Sequence, residues 1–126
     1  MQKKIISTDH APKAIGPYSQ AIEINGMLFI SGQIPINPET GKVVEGGIVE
    51  QTEQVMKNIG AILTAAGYSY DHVIKSTCLL ADMKYFADMN KVYGRYYPLA
   101  PPARAAFAVK DLPMQVLVEI ETIAAK

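Results

Sequence analysis

Arg104 and Glu119 are the two residues of this chain whose types and spacing most suggest chemistry. Arg104 stands among small and apolar residues in PPARAAFAVKD, just after a double proline. A guanidinium is a planar fork of N–H donors that grips a carboxylate in one orientation. Glu119 interrupts the apolar strand MQVLVEIETI near the end of the chain. A carboxylate set among apolar neighbours has its pKa pushed up, towards values that suit a general base. Together the pair suggests a small pocket where an anionic organic acid is held and a proton is moved. If the two segments form a hairpin, antiparallel pairing brings Arg104 close to residues 119–121. A plain cross-strand ion pair, common in sheets, would explain the same spacing without any chemistry.

Two further segments carry candidate residues: Gly16-Pro17-Tyr18-Ser19-Gln20-Ala21 and Ser31-Gly32-Gln33-Ile34-Pro35. Glycine inside a strand marks a bulge or the close approach of a ligand or another backbone. Gly32 beside Ser31 thus either presents a hydroxyl and open backbone to a small molecule, or only lets the sheet curve. Tyr18 either lines the same pocket or is a half-buried strand tyrosine. The single cysteine, Cys78, lies in the apolar run CLLA and reads as a small core residue. One cysteine allows no disulfide within the chain and no zinc site built from paired thiolates. His10, in a polar turn, and His72, near a helix start, do not look like halves of a nuclease pair.

The elements that must position these residues follow from hydrophobic period and turn chemistry. A short first strand is expected over 3–7. Strands over 18–24 and 27–34 form a hairpin across Asn25-Gly26, a strong signal for a type I′ turn. Residues 37–41 are a turn cluster, with a brief extension over 42–44. A helix over 48–66 carries Ile48, Thr52, Val55, Met56, Ile59, Ile62, Leu63 and Ala66 on one stripe, with Gly67 as its C-terminal cap. A strand over 73–81 precedes Asp82, the N-cap of a second helix over 83–97 whose inner face holds Phe86, Met89, Val92, Tyr93 and Tyr96. The stiff stretch 98–102 leads into a strand over 104–109, a turn, and a last strand over 114–123. The order β-β-β-α-β-α-β-β gives an α+β domain with two helices on one face of a mixed sheet. In the last strand Met114, Val116, Val118 and Ile120 suit the helices. The other side carries Gln115, Leu117, Glu119, Glu121 and Ile123, too apolar for a solvated face and too polar for a closed core. An oligomer whose sheets pack together, with polar pockets at the seams, is the natural expectation.

Length and composition bound the rest. The 126 residues read as a single domain over 1–126, able to bury roughly two-thirds of its unfolded surface. Lys+Arg and Asp+Glu both number 12, so no net charge recruits a nucleic-acid backbone or an anionic membrane. No basic cluster with interleaved aromatics is present, which argues against an RNA-directed activity. The N-terminal segment lacks the apolar core of a secretion signal, and no apolar stretch is long enough to span a bilayer. A cytoplasmic protein is expected.

Five segments, HAPKAIGPYSQAIEING, FISGQIP, EQTEQVMKNIGAIL, NKVYGRYYP and PPARAAFAVKDLPMQVLVEIE, together resemble the RidA family, also called YjgF/YER057c/UK114. The resemblance spans nearly the whole chain. It implies a chorismate-mutase-like α+β fold, assembled as a homotrimer with sites between subunits. It also implies a 2-iminobutanoate/2-iminopropanoate deaminase, which hydrolyses enamine/imine acids such as 2-aminoacrylate to 2-oxo acids and ammonia without metal or organic cofactor. In this reading Arg104 matches the carboxylate-binding arginine and Glu119 the glutamate that activates water. Tyr18, Ser31, Gly32 and Asn90 match pocket-lining positions. Many relatives carry a cysteine two residues after the arginine; here that position is Ala106, which offers only its backbone N–H. The alternatives are a regulatory module that binds 2-oxo acids without turnover and, ranked lower, an endoribonuclease or translation inhibitor.

Overall fold

The computed structural model describes residues 2–126. Asn25 and Gly26 hold φ of 50° and 74°, the left-handed pair that a type I′ turn requires. They join β2 (Ala21–Ile24) to β3 (Met27–Gln33), and β1 (Lys4–Ile6) pairs with the outer side of β2. A small separate ribbon, β4 (Ile36–Asn37) with β5 (Lys42–Val43), fills the turn region before the first helix.

Helix α1 spans Ile48–Ala66, the range its apolar stripe predicts. Ile48, Thr52, Val55, Met56, Ile59, Ile62 and Leu63 are buried. The Gly47 N–H donates to Glu50 Oε1 at 2.8 Å, and Gly67 (φ 81°) ends the helix in the left-handed conformation. Two buried polar residues of α1 reach the loops beyond it. Asn58 Nδ2 donates to the carbonyls of Ile34 and Ile36, and Gln51 Oε1 accepts the Leu117 N–H at 2.8 Å. These bonds satisfy groups that burial would otherwise leave at a cost, and they tether the chain just after Gly32 and just before Glu119.

β6 (Val73–Leu80) leads to a 3-10 turn at Met83–Tyr85 and then to α2 (Phe86–Arg95). The expected continuous helix over 83–97 is therefore shorter. Asp82 caps the 3-10 turn, accepting the Lys84 N–H, whereas Tyr85 stands at the start of α2 without a side-chain cap. α2 leads to β7 (Ala103–Ala108). The last strand, β8 (Val118–Ala125), begins four residues later than expected because Pro113–Gln115 form a 3-10 turn with Met114 and Gln115 at φ of 55° and 56°. Met114 is exposed, not on the helix-facing side.

The six-stranded mixed sheet has the order β1-β2-β3-β8-β6-β7. The hairpin expected between the last two strands does not form. β7 pairs in parallel with β6, while β8 inserts between β3 and β6, antiparallel to both. The reason lies in α2: a helical crossover between β6 and β7 returns the chain parallel to the strand it left. β8, with Val118, Ile120, Thr122 and Ala124 buried, then belongs at the centre of the sheet.

Both helices cover one face, and the core lies between them and the sheet. The opposite face carries a row of apolar residues in direct register, Ile5 to Ile22, Ile22 to Phe29, and Phe29 to Ile123. Ile5 is 62% and Phe29 43% exposed.

Candidate active site

Strand register decides where each candidate side chain points, because residues directly opposite on neighbouring strands share a face. Arg104 is paired with Ser76, which is fully buried under the helices. Glu119 is paired with Leu79, on the other face. Arg104 and Glu119 therefore lie on opposite sides of one sheet, separated by β6, and form no ion pair within a chain. The expectation that a hairpin brings them together is overturned by the β6–β7 pairing.

Each residue has its own setting. On the helix side, Arg104 Nη1 donates to Asn90 Oδ1 at 2.6 Å. Ala106 follows on the same strand, in register with Cys78. In a parallel ladder alternate residues bond to the same neighbour; with the Val109 N–H on Leu80 O, the Ala106 N–H points to the open edge of the sheet. On the other face, Tyr18, Ser31, Gly32, Ile34, Pro113 and Glu119 line a cavity of about 390 Å³. Gly32 belongs to a bulge: Ile30 pairs with Thr122 and Gln33 with Ile120, so Ser31 and Gly32 together oppose Glu121. The Glu119 side chain also packs against Gly32, where an added Cβ would come within 3.0 Å of Glu119 Cδ. The bulge reading of Gly32 holds, and the close approach that the glycine admits within the chain is that of the Glu119 carboxylate. Ser31 Oγ donates to the Ser19 carbonyl at 2.6 Å, which aims its lone pairs away from that bond. Partial burial, and secondarily the neighbouring Glu121 carboxylate, raise the Glu119 pKa above the ordinary glutamate value. Glu119 is then a stronger base than an exposed glutamate. Among the described residues no three His, Cys, Asp or Glu side chains converge as metal ligands.

These two clusters of candidate residues sit in a chain that matches the model of the family described as Endoribonuclease L-PSP over residues 8–126. The chain belongs to this family, the YjgF/RidA family. It is 57% identical over 124 residues to a RutC family protein of Pyrococcus horikoshii, covering 98% of each chain. It is 49% identical to the 2-iminobutanoate/2-iminopropanoate deaminase of Mus musculus, covering 97% of this chain and 90% of that one. Among solved structures it superposes on E. coli TdcF with bound serine at a TM-score of 0.93, with 40% identity and 98% of each chain covered.

Within this RidA-family chain, the candidate residues thus divide into a cation-bearing set (Asn90, Arg104, Ala106) and a base-bearing set (Tyr18, Ser31, Gly32, Glu119). Residue types alone left several contributors unassigned. Ile34 and Pro113 wall the Glu119 cavity. Phe86 and Tyr93 lie against the Arg104 guanidinium. Phe86, Asn90 and Tyr93 are spaced i, i+4, i+7 on one face of α2, a signal that reads equally well as core packing. Cys78 is fully buried, and burial pushes its thiol up to about 11 despite the guanidinium beside it. The thiol is not a nucleophile.

Proposed function

We propose that this protein hydrolyses enamine/imine acids, the 2-aminoacrylate/2-iminopropanoate and 2-iminobutanoate class, to 2-oxo acids and ammonia in clefts between copies of itself. The observation that carries the reading is the split site. A carboxylate-binding fork lies at one sheet edge and a half-buried base lies on the opposite face, each incomplete alone. Copies packed through the apolar face would set the Arg104 of one against the Glu119 of another, as in the homotrimer the resemblance implies. The mouse relative's deaminase name supports the reaction class, and the bound serine in TdcF supports a small amino-acid-like ligand.

The chemistry asks little of the protein, because C2 of the protonated imine is already electrophilic. Arg104, braced by Asn90, holds the substrate carboxylate. The Glu119 carboxylate takes a proton from water as the water oxygen bonds to C2 and the C=N π pair moves to nitrogen. The carboxylic acid so formed protonates the amine. The C–N bond then breaks as the hydroxyl returns its proton to Glu119, leaving the 2-oxo acid and ammonia. The released ammonia carries off the remaining proton as ammonium. Ser31 and Tyr18 supply polar contacts in the same cavity. No net charge recruits RNA, and none of these residues is asked to cleave a phosphodiester.

The test follows imine produced in situ from threonine by a dehydratase. Glu119→Gln is expected to lower accelerated hydrolysis by about 100- to 10,000-fold, and Arg104→Ala to abolish it at low substrate, both without loss of assembly. Undiminished activity in both variants refutes the assignment.

A further inference from the structure

The Arg104 guanidinium is held by aromatic rings as well as by its hydrogen bond to Asn90. Its Cζ lies 5.1 Å from the ring centre of Tyr93 and 5.4 Å from that of Phe86, within the range of a cation–π contact. The Tyr93 ring is itself fixed. It is 5% exposed and packs on Tyr97 at 4.9 Å between centres, and Tyr97 packs in turn on Tyr70 at 6.0 Å. The Tyr93 and Tyr97 hydroxyls and Ser76 Oγ are buried together as a small polar group within the core. The hydroxyl end of Tyr93 lies near Ser76, while its ring meets the guanidinium. An arginine near a sheet edge otherwise keeps much rotamer freedom, and one bond to Asn90 fixes one nitrogen but not the plane of the fork.

We infer that Tyr93, assisted by Phe86, is a positioning residue that sets the plane of the Arg104 fork, so that its remaining N–H groups are presented ready-made to a substrate carboxylate. The inference rests on the reading of Arg104 as the carboxylate-binding group. Because Tyr93 acts through Arg104, its effect falls on binding of carboxylate ligands and not on the proton transfers at Glu119.

The experiment compares Tyr93→Phe, which keeps the ring, with Tyr93→Leu, which removes it, and adds Phe86→Leu at a less buried position. Three quantities are read: the ring-current shift of the Arg104 Nε–H resonance, 2-oxobutanoate affinity by calorimetry, and KM and kcat for imine hydrolysis. Tyr93→Leu is expected to lose the ring-current shift, weaken 2-oxobutanoate and raise KM by about tenfold, and leave kcat within about twofold. Tyr93→Phe is expected to behave as the parent. Should Tyr93→Leu fail to fold, Phe86→Leu is expected to show the same pattern at smaller amplitude. An unchanged Arg104 resonance or unchanged affinity in the ring-deleting variants overturns the inference, as does equal loss in Tyr93→Phe. A parent protein that binds no 2-oxobutanoate refutes the carboxylate reading instead, and the Arg104 resonance alone then decides whether the ring orients the fork.

Discussion

Gly32→Ala is the smallest change that should disable the base while sparing the fold. An added Cβ would stand within 3.0 Å of Glu119 Cδ and 3.2 Å of Cγ, closer than packed carbons sit, and would overlap the carboxylate itself. Gly32 has no positive φ, so alanine meets no backbone penalty there. The clash falls on the far end of a flexible side chain, which can rotate away at a cost of about 1 kcal/mol. Reduced freedom of the unfolded chain offsets this by about 0.4–1 kcal/mol. The net change in Tm is therefore expected within about 4 °C. Catalysis has no such compensation, since moving a reacting group by about 1 Å costs on the order of 100-fold in rate. In the threonine-coupled imine assay kcat should fall by about 100-fold or more, with 2-oxobutanoate affinity little changed because Arg104 is untouched. Gly94→Ala serves as control: its Cβ meets nothing, and an exposed helix position should gain about 1 kcal/mol. Full activity in a folded Gly32→Ala protein refutes the placement of Glu119 as the base.

Further outcomes follow from the buried groups. Activity that needs the Glu119 carboxylate is lost as pH falls through its pKa, which burial and Glu121 raise and an Arg104 brought from another copy would lower. Glu121→Gln should therefore move the acid limb of kcat lower, and Arg104→Ala should move it higher. The upward shift makes the folded state hold its proton longer than the unfolded chain. Stability is therefore lost as pH rises between the two pKa values, so in an Arg104→Ala background, where no guanidinium faces it, Glu119→Gln should raise Tm at pH about 7, with the gain vanishing below about pH 4. Equal Tm differences at both pH values would contradict this. Cys78, buried and with its thiol pushed up to about 11, should react with a disulfide reagent only at the rate of unfolding; rapid labelling of the native protein would show that the strand is open.

Local signals carried much of the fold. The α1 stripe and Gly67 predict that helix to its end residues, and Asn25-Gly26 predicts its hairpin. Non-local pairing was not legible in the same way. The stretch 104–123 reads as a hairpin because its two strands are adjacent in sequence. Whether β7 pairs backwards onto β6 or forwards onto β8 depends on which strand fills the centre of the sheet, a competition settled by packing across the whole domain. The left-handed Met114 and Gln115 carry no glycine to announce the turn, which is why the sequence pattern starts the last strand four residues early. For the candidate site, residue types singled out Arg104 and Glu119, but the register that puts them on opposite faces emerges only when six strands are assembled.

That opposition gives the most direct test of the central claim, that the Arg104 of one copy works with the Glu119 of another. Arg104→Ala and Glu119→Gln chains, each inactive alone, would be co-expressed in equal amounts and the mixed assemblies assayed for imine hydrolysis. In a closed ring with repeating head-to-tail seams, about a quarter of the seams then join an intact Arg104 to an intact Glu119. Activity should return to about a quarter of that of the parent protein. A mixture no more active than its two components would contradict the account, because it would place both residues of a working site on the same chain.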